Sequence, residues 1–237
     1  MSIERKPFIS PATLARHDED LAVADLAAAR QPRRWWRSER ARGVLATAIM
    51  PARMSPSQPE RVCVFAGSGD GRRPEYREAA DALGRELAAR GIGLVYGGSG
   101  RGLMGAAADA ALAAGGEAIG VIPEGLLGLE TFHRDLTELH VVGSMHERKA
   151  MMADLADAFV ALPGGIGTLE ELLEVATWSK LGIHAKPCGA VNTCGYYDAL
   201  GGMLDAAVEE GFMAPGYRDT VIFDADPARL LDRLDCL

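Results

Sequence analysis

One stretch of this chain decides its fold: Leu162-Pro163-Gly164-Gly165-Ile166-Gly167-Thr168-Leu169-Glu170-Glu171. The apolar run at 158–161 before it predicts a buried parallel strand, and the spacing of Leu169, Leu172, Leu173 and Ala176 predicts a helix after it. A glycine turn between a strand and a helix presents free backbone N–H groups and the positive end of the helix dipole to an anion. We expect Glu171 in the first turn of that helix. A phosphate cradle beside a carboxylate predicts an enzyme that acts on a phosphorylated small molecule.

Short apolar runs alternate with helical patterns from residue 61 onward. The predicted strands are Val62–Phe65, Leu94–Tyr96, Ala118–Ile122, Ala158–Leu162, Gly189–Val191 and Val221–Phe223. The predicted helices lie near Tyr76–Arg90, Leu103–Ala114, Met145–Leu155, Leu169–Leu181, Tyr197–Glu210 and Pro227–Leu234. This alternation predicts an α/β fold, a Rossmann-like doubly wound parallel sheet with helices on both faces. Ligands of such sheets bind at the carboxyl ends of the strands, near a topological switch point.

The first 58 residues differ from the rest of the chain. We expect an N-terminal extension over 1–58, partly helical near Thr13–Arg30, and one nucleotide-binding domain over 59–237. The extension contains Arg33-Arg34-Trp35-Trp36-Arg37, a cluster that suits either stacking on bases or a membrane surface. We favour a simpler interpretation, in which an N-terminal helix packs its two tryptophans on the main domain or on a partner subunit.

Composition excludes several classes of function. The 237 residues carry a net charge of −8, which argues against general binding of nucleic acid. No apolar run is long enough to span a bilayer, and no secretory signal follows the first basic residues. The four cysteines are scattered without ligand spacing, which predicts reduced thiols in the cytoplasm; they are Cys63, Cys188, Cys194 and Cys236. We expect no metal site and no bound cofactor.

A second glycine-rich segment, residues 97–105, contains a GxGxxG match at Gly100, Gly102 and Gly105. Glu124 lies about twenty residues further on, as in a dinucleotide-binding fingerprint. However, the match follows the second predicted strand, whereas the fingerprint normally follows the first. We therefore favour a close-packed loop that faces a mononucleotide.

The helix that begins at Met145 has a candidate capping box, Ser144 with Glu147, so Glu147 has a structural role. Arg148 and Lys149 follow it. Two cations near a helix N-terminus interact unfavourably with the helix dipole, and an anion bound nearby would offset this cost. Thr168 and Glu171 form a second T-x-x-E pattern, so a helix cap competes with a catalytic role for Glu171. The three glycines before it favour close approach of a ligand to the backbone.

These residues carry a resemblance. Residues 162–171 match the signature PGGxGTxxE and residues 145–149 match M-x-E-R-K, and both resemble the LONELY GUY family of cytokinin-activating phosphoribohydrolases, often labelled "possible lysine decarboxylase". The similarity runs in order over about residues 61–223, through Val62–Ser68, 95–98, 102–105, Thr177-Trp178, 181–184, Lys186-Pro187 and 195–197. The chain departs from the family pattern at Ala66, Gly69 and Ile166, which bears on base preference more than on reaction type.

The resemblance implies hydrolysis of the N-glycosidic bond of a nucleoside 5′-monophosphate, AMP or an N6-substituted AMP, to free base and ribose 5-phosphate by a homodimer. It implies that the catalytic residues are Arg148 and Glu171. Together with the glycine turns, it predicts substrate contacts at Ser68, Gly97, Gly98, Glu130, Met145, Arg148, Lys149, Gly164, Gly165, Ile166, Gly167, Thr168, Leu169, Glu170, Glu171 and Thr177.

The chemistry of the residues agrees with this implication. Cleavage of an N-glycosidic bond develops positive charge on the ribose, which a carboxylate near C1′ stabilises. We expect Arg148 to lower the pKa of Glu171 and keep it ionised, as a charge stabiliser or a base toward water. The backbone amides of 164–168 are expected to hold the 5′-phosphate with Lys149 or Arg148.

Two alternatives remain open at this stage. The first is a non-catalytic carrier of a nucleotide or of the molybdenum cofactor, because such carriers resemble this fold. The second is a regulatory or partner-binding protein in which residues 1–58 matter most. Lysine decarboxylation is not favoured, because it requires a Schiff-base lysine for pyridoxal phosphate and nothing in the sequence marks Lys180 or Lys186 for that role.

Overall fold

The structure is a computed structural model that describes residues 59–126 and 132–235. Its seven strands form one parallel sheet in the order β4-β3-β2-β1-β5-β6-β7. The strands are β1 Arg61–Phe65, β2 Gly93–Tyr96, β3 Ala118–Pro123, β4 Glu138–Val142, β5 Ala158–Ala161, β6 Cys188–Val191 and β7 Val221–Asp224. The helices are α1 Pro74–Ala89, α2 Gly102–Ala113, α3 Met145–Leu155, α4 Ile166–Lys180, α5 Asp198–Glu209 and α6 Pro227–Asp235. The predicted extension, residues 1–58, and Cys236 lie outside the described residues.

Both faces of the sheet are covered, which confirms the predicted fold class. Along β1, Val62 and Val64 point into one core with α1, α2 and α6. Cys63 and Phe65 point into the other core, which contains apolar residues of α3 and α4 and, from the start of α5, the ring of Tyr197. A strand that is buried on both faces is apolar throughout, so its sequence is a continuous run rather than an alternation.

The switch point lies between β1 and β5. From β1 the chain adds β2, β3 and β4 on one side, and β5, β6 and β7 then continue from the other side. Pairing extends past the ends of these two strands, because Leu162 N donates to Phe65 O at 2.8 Å and Gly67 N donates to Pro163 O at 3.1 Å. The glycine turns that follow β1 and β5 therefore meet where ligands of such sheets bind.

Two differences from the sequence-based expectations matter. Strand β4 was not predicted, because it is an edge strand with exposed or partly exposed Glu138, His140 and Val141 and forms no apolar run. Helix α4 begins at Ile166, three residues before the predicted start. Of the helices that the structure describes, none combines the length and the apolar character needed to cross a membrane.

Candidate functional site

The N-terminus of α4 is open to solvent at the carboxyl edge of the sheet. Gly165 is the N-cap residue, and the first helical hydrogen bond runs from Leu169 N to Gly165 O at 3.1 Å. The backbone N–H groups of 165–168 precede that bond and have no partner within the helix. Gly165, Ile166 and Gly167 are exposed, Ile166 at 87%. This end of the helix therefore offers a set of free donors to an anion, as the sequence predicts.

The predicted T-x-x-E capping box is wrong. Thr168 lies inside α4, and the N-cap residue, Gly165, makes no side-chain capping bond. Glu171 is consequently in the second turn of the helix rather than the first. This result removes the structural explanation for Glu171, because its carboxylate does not cap the helix.

The three glycines of the signature have different reasons to be glycine. A Cβ on Gly164 would overlap the Thr168 side chain and would lie 2.8 Å from Gly67 N, so packing alone excludes a side chain there. A Cβ on Gly165 or Gly167 would meet no atom within 4 Å. Packing therefore does not require glycine at these two positions, and their lack of side chains leaves the helix terminus accessible to a ligand.

Arg148 crosses the carboxyl ends of two strands. It is 8% exposed, and it donates from Nε to Val121 O at 3.1 Å and from Nη2 to Gly97 O at 3.3 Å. Its Nη1 lies 3.8 Å from the sulfur of Met145. Within the described residues no carboxylate lies within 4.0 Å of this guanidinium. A buried cation without a counter-ion is costly, and an anionic ligand would offset that cost.

The start of α3 confirms the predicted role of Glu147. Its backbone N–H donates to Ser144 Oγ at 3.2 Å, and its carboxylate accepts from Gly143 N at 2.9 Å. Glu147 and Ser144 therefore provide hydrogen-bond partners for backbone N–H groups at the start of α3. These bonds fix the turn of the helix that carries Arg148.

The loop after β2 is closely packed, as expected from its position. A Cβ on Gly97 would overlap Arg148, and Gly98 has a positive φ of 76°. Gly102 has φ of 59° and lies against the backbone of Ser68, while Gly105 lies against the backbone of Gly100. These contacts account for Gly102 and Gly105 of the GxGxxG match by close packing against neighbouring backbone.

Glu171 lies beside a cavity of about 10 Å³, near the size of one water, lined by Phe65, Lys149, Glu171, Glu174, Val175 and Trp178. Its side chain is partly buried. Burial is the main influence and raises the pKa of Glu171 to about 7, although the positive charges of Arg148 and Lys149 oppose this rise. The expectation that Arg148 holds this pKa low is therefore wrong, because desolvation outweighs the attraction. At neutral pH the carboxyl group is present in both protonation states.

Lys149 is paired with two carboxylates. Its Nζ lies 2.6 Å from Glu170 Oε1 and 2.9 Å from Glu174 Oε2. Burial lowers the pKa of Lys149, but the two carboxylates raise it by more, and the net pKa lies above its ordinary value. The predicted contacts Lys149 and Glu170 thus meet each other, and this ammonium is not a free phosphate donor in the structure.

Other predicted contacts lie further away. Thr177 is on the exposed side of α4, and its hydroxyl donates to Leu173 O at 2.7 Å. Six residues separate it from Glu171, about 240° around the helix, so the two side chains point in different directions. Leu169 packs against the core, and Ser68 is exposed in the loop after β1. Glu130 lies outside the described residues.

Two tyrosines support the signature loop, a role that sequence reasoning missed. Tyr197 donates from its hydroxyl to Leu162 O at 2.7 Å, and the Tyr196 hydroxyl donates to Gly164 O. Both tyrosines follow β6, the neighbour of β5 in the sheet. Two signals in the sequence pointed to them: the family resemblance at residues 195–197, and hydroxyl-bearing rings directly after a strand that adjoins β5.

The sequence of this chain is similar to those of several known proteins. A family model described as "Possible lysine decarboxylase" matches residues 104–234. The rice protein "Probable cytokinin riboside 5'-monophosphate phosphoribohydrolase LOGL9" (Oryza sativa subsp. japonica) is 51% identical over 190 residues, 80% of this chain and 84% of the relative. This chain belongs to the LONELY GUY family. The family member "Cytokinin riboside 5'-monophosphate phosphoribohydrolase LOG3" of Arabidopsis thaliana is 47% identical over 182 residues, 77% of this chain and 85% of that one.

The LONELY GUY fold is shared more widely. The molybdenum cofactor carrier protein of Chlamydomonas reinhardtii aligns with a TM-score of 0.54 and 24% identity, over 73% of this chain and 94% of that one. This likeness shows a common fold. It carries no argument about the ligand of this LONELY GUY protein, because the identity is low.

The lysines that the structure describes do not fit decarboxylation. Lys186 Nζ donates to Ala153 O at 2.7 Å, and Lys180 Nζ lies 5.0 Å from the centre of the Tyr217 ring. Lys149 is held between two carboxylates, which stabilise its charged form. A Schiff-base lysine needs a neutral amine. None of these three lysines suits pyridoxal phosphate, so the label of the family model describes this site poorly.

Proposed function

We propose that this LONELY GUY protein hydrolyses the N-glycosidic bond of a nucleoside 5′-monophosphate, releasing the free base and ribose 5-phosphate. The observation that carries the proposal is the position of Glu171. Its partly buried carboxyl group follows the open N-terminus of α4 on the same helix, at the switch point of the sheet. The names of relatives at 47% and 51% identity describe this reaction, which supports the same chemistry here.

The open helix terminus would hold the 5′-phosphate. Four free N–H groups at 165–168 and the helix dipole favour a dianion there. Glu171 lies four residues beyond Gly167, about 6 Å along the helix axis. A ribose spans a distance of this order, so a phosphate on the terminus brings C1′ toward the carboxyl group. Arg148, which has a buried charge and no carboxylate partner among the described residues, would contact the same substrate.

The ionised form of Glu171 would act on the sugar. As the bond to the base breaks, positive charge develops on the ribose, and a carboxylate in a desolvated pocket stabilises it more strongly than water would. The same carboxylate would accept a proton from the attacking water. Its raised pKa keeps it basic enough for this second role at neutral pH.

AMP and N6-substituted AMP are the proposed substrates. The relatives are named for cytokinin riboside 5′-monophosphates, which supports an adenine-type base. Phe65, Val175 and Trp178 line the water-sized cavity beside Glu171, so the carboxyl group has apolar neighbours. This cavity is too small to hold a base, and the preference for adenine rests on the names of the relatives.

The first experiment measures release of free base by chromatography. The protein is incubated with AMP, N6-isopentenyl-AMP, GMP, CMP and adenosine. We expect release from a monophosphate and none from adenosine, and we expect Glu171→Ala to lower turnover by about 10²–10³-fold. Glu209→Ala, on the exposed end of α5, is the matched control and should keep full activity. Thermal stabilisation by AMP without any base release would favour the carrier alternative.

A homodimer in the cytoplasm is the proposed state of the protein. The exposed apolar residues include a group on and just after α4, namely Leu173, Leu181 and Ile183. A second copy that covers this group would remove it from water. The free thiols of Cys63, Cys188 and Cys194 fit a reducing compartment. Light scattering would measure the mass, and a monomer at micromolar concentration would contradict the dimer.

The division into an extension of 1–58 and a domain of 59–237 is also part of the proposal. Removing residues 1–58 should leave base release intact, because every described residue of the candidate site lies after residue 59. Loss of activity in a folded truncated chain would instead support the interpretation in which the extension matters most.

A further inference from the structure

Among the hydrogen bonds of the described residues, one from Tyr196 reaches the peptide between Gly164 and Gly165 from outside its own loop. The Tyr196 hydroxyl donates to Gly164 O. Gly165 is exposed, and a Cβ built on it would meet no atom within 4 Å, so packing does not restrain its backbone. Two consecutive glycines rotate more freely than any other pair, so this peptide needs an external contact to keep one orientation.

The direction of one peptide group follows from the direction of its carbonyl. In a trans peptide the C=O and N–H bonds point in opposite directions, and the described residues contain no cis peptide. When Tyr196 fixes the carbonyl of Gly164, it therefore also aims the N–H of Gly165 the other way. That N–H belongs to the N-cap residue of α4 and is one of the free donors at the helix terminus.

Tyr196 packs against two other tyrosines. Its ring meets Tyr76 of α1 edge-on, with centroids 5.7 Å apart, and meets Tyr197 edge-on at 5.1 Å. The turn that carries it is fixed by Asn192, whose side-chain oxygen accepts from Tyr197 N at 2.7 Å. These two contacts restrict the ring although it is 39% exposed, so its hydroxyl can impose a direction on a glycine peptide.

We propose that Tyr196 is a positioning residue, whose hydroxyl orients the Gly164–Gly165 peptide so that the Gly165 N–H points at the 5′-phosphate of the substrate. This inference rests on the proposed function. Tyr196 does not touch the substrate; it acts through the backbone of the signature loop. Its removal should therefore weaken the binding of ligands that carry the phosphate and leave other ligands unaffected.

The test is Tyr196→Phe, which keeps the ring and its packing but removes the hydroxyl. We expect the KM for AMP or its N6-substituted form to rise about ten-fold, the scale of one hydrogen bond to a charged group, with kcat changed less than about two-fold. Calorimetry should show the same loss of affinity for ribose 5-phosphate and no loss for adenosine. Tyr217→Phe is the matched control, because Tyr217 has the same 39% exposure and lies under Lys180, away from the loop.

The outcomes separate this inference from the proposed function. Unchanged affinity for ribose 5-phosphate in Tyr196→Phe would overturn the inference. An equal loss of affinity for adenosine and for ribose 5-phosphate, together with a lower Tm, would also overturn it, because this result would indicate a structural role. Phosphate-dependent weakening in a protein that releases no base would support the positioning role and overturn the proposed function alone. A wild-type protein that binds neither ribose 5-phosphate nor AMP would overturn both.

Discussion

The guanidinium of Arg148 occupies the space that a side chain on Gly97 would fill, and its Nη2 donates to the carbonyl of that same glycine at 3.3 Å. The two residues are 51 positions apart in the chain. One is at the carboxyl end of β2 and the other is in the first turns of α3. The glycine is thus part of the binding site for the arginine side chain, and the position of the buried charge depends on it.

The first prediction is that Gly97→Ala displaces Arg148. The added methyl group would force the guanidinium away from the ends of β2 and β3, so kcat/KM should fall about as far as in Arg148→Ala. The free energy of unfolding should fall by about 1–3 kcal/mol, the usual cost of overpacking. Because both changes remove the same feature, the double variant should be no less active than Arg148→Ala alone.

Gly202→Ala is the control for this comparison, because a Cβ on Gly202 meets no atom within 4 Å. It should leave base release unchanged. Additive losses in the double variant would show that Gly97 affects activity by a route that does not involve Arg148.

The sequence predicts the strands well where burial on both faces makes them apolar. The predicted strands Val62–Phe65 and Ala158–Leu162 belong to central strands, and the observed bounds of each differ from the prediction by one residue at one end. Strand β4 lies at the edge, and its half-exposed residues carry no such signal. The start of α4 was misplaced because the glycines at 164–167 have low helix propensity, while T-x-x-E imitates a cap.

The properties of the site depend on distances that a sequence does not contain. The adjacency of Gly97 and Arg148 and the bond from Tyr196 to Gly164 both join residues more than thirty positions apart. The pKa of Glu171 was predicted in the wrong direction, since the charge of Arg148 can be read from the sequence but the burial of the carboxyl group cannot. The types of residue at the site were thus predictable from the sequence. Whether burial or the neighbouring positive charges determine the pKa of Glu171 could be decided only with the structure.

The second prediction concerns the pH dependence of activity. Because burial raises the pKa of Glu171 to about 7, its ionised fraction in the free enzyme increases through neutral pH. We expect kcat/KM to rise with pH and to level off above about 7, with an acidic limb in which Glu171 titrates beside the substrate phosphate, whose second pKa is about 6. Glu171→Gln should remove the contribution of Glu171 to this limb and most of the activity. An acidic limb near pH 4.5, the ordinary pKa of a glutamate, would contradict the raised value.

The third prediction concerns stability. A carboxyl group whose pKa is 4.5 when unfolded and about 7 when folded binds its proton more tightly in the folded state. Its contribution to stability is present below pH 4.5 and is lost as the pH rises through 7. Glu171→Gln, which is always neutral, should therefore raise the free energy of unfolding at pH 8 by about 1–3 kcal/mol.

Urea unfolding at pH 5 and pH 8 checks this sign. The gain from Glu171→Gln should shrink toward pH 5, where the wild-type carboxyl group is protonated in the folded protein. Glu209→Gln on the exposed end of α5 should have little effect at either pH. A variant that is less stable than wild type at pH 8 would mean that the carboxylate stabilises the unliganded fold.

The fourth prediction concerns the electrostatic role of Lys149. Its ammonium is paired with Glu170 and Glu174, whose negative charges raise the pKa of Glu171, while its own charge lowers it. Lys149→Met would leave both carboxylates without this partner beside Glu171. The acidic limb of the pH profile should then move to higher pH by about one unit, because ionisation next to unpaired negative charges is harder. Lys180→Met, which removes a lysine over the Tyr217 ring, should leave the limb in place. If Lys149 acts only by binding phosphate, its replacement would raise KM and the limb would stay where it is in the wild-type enzyme.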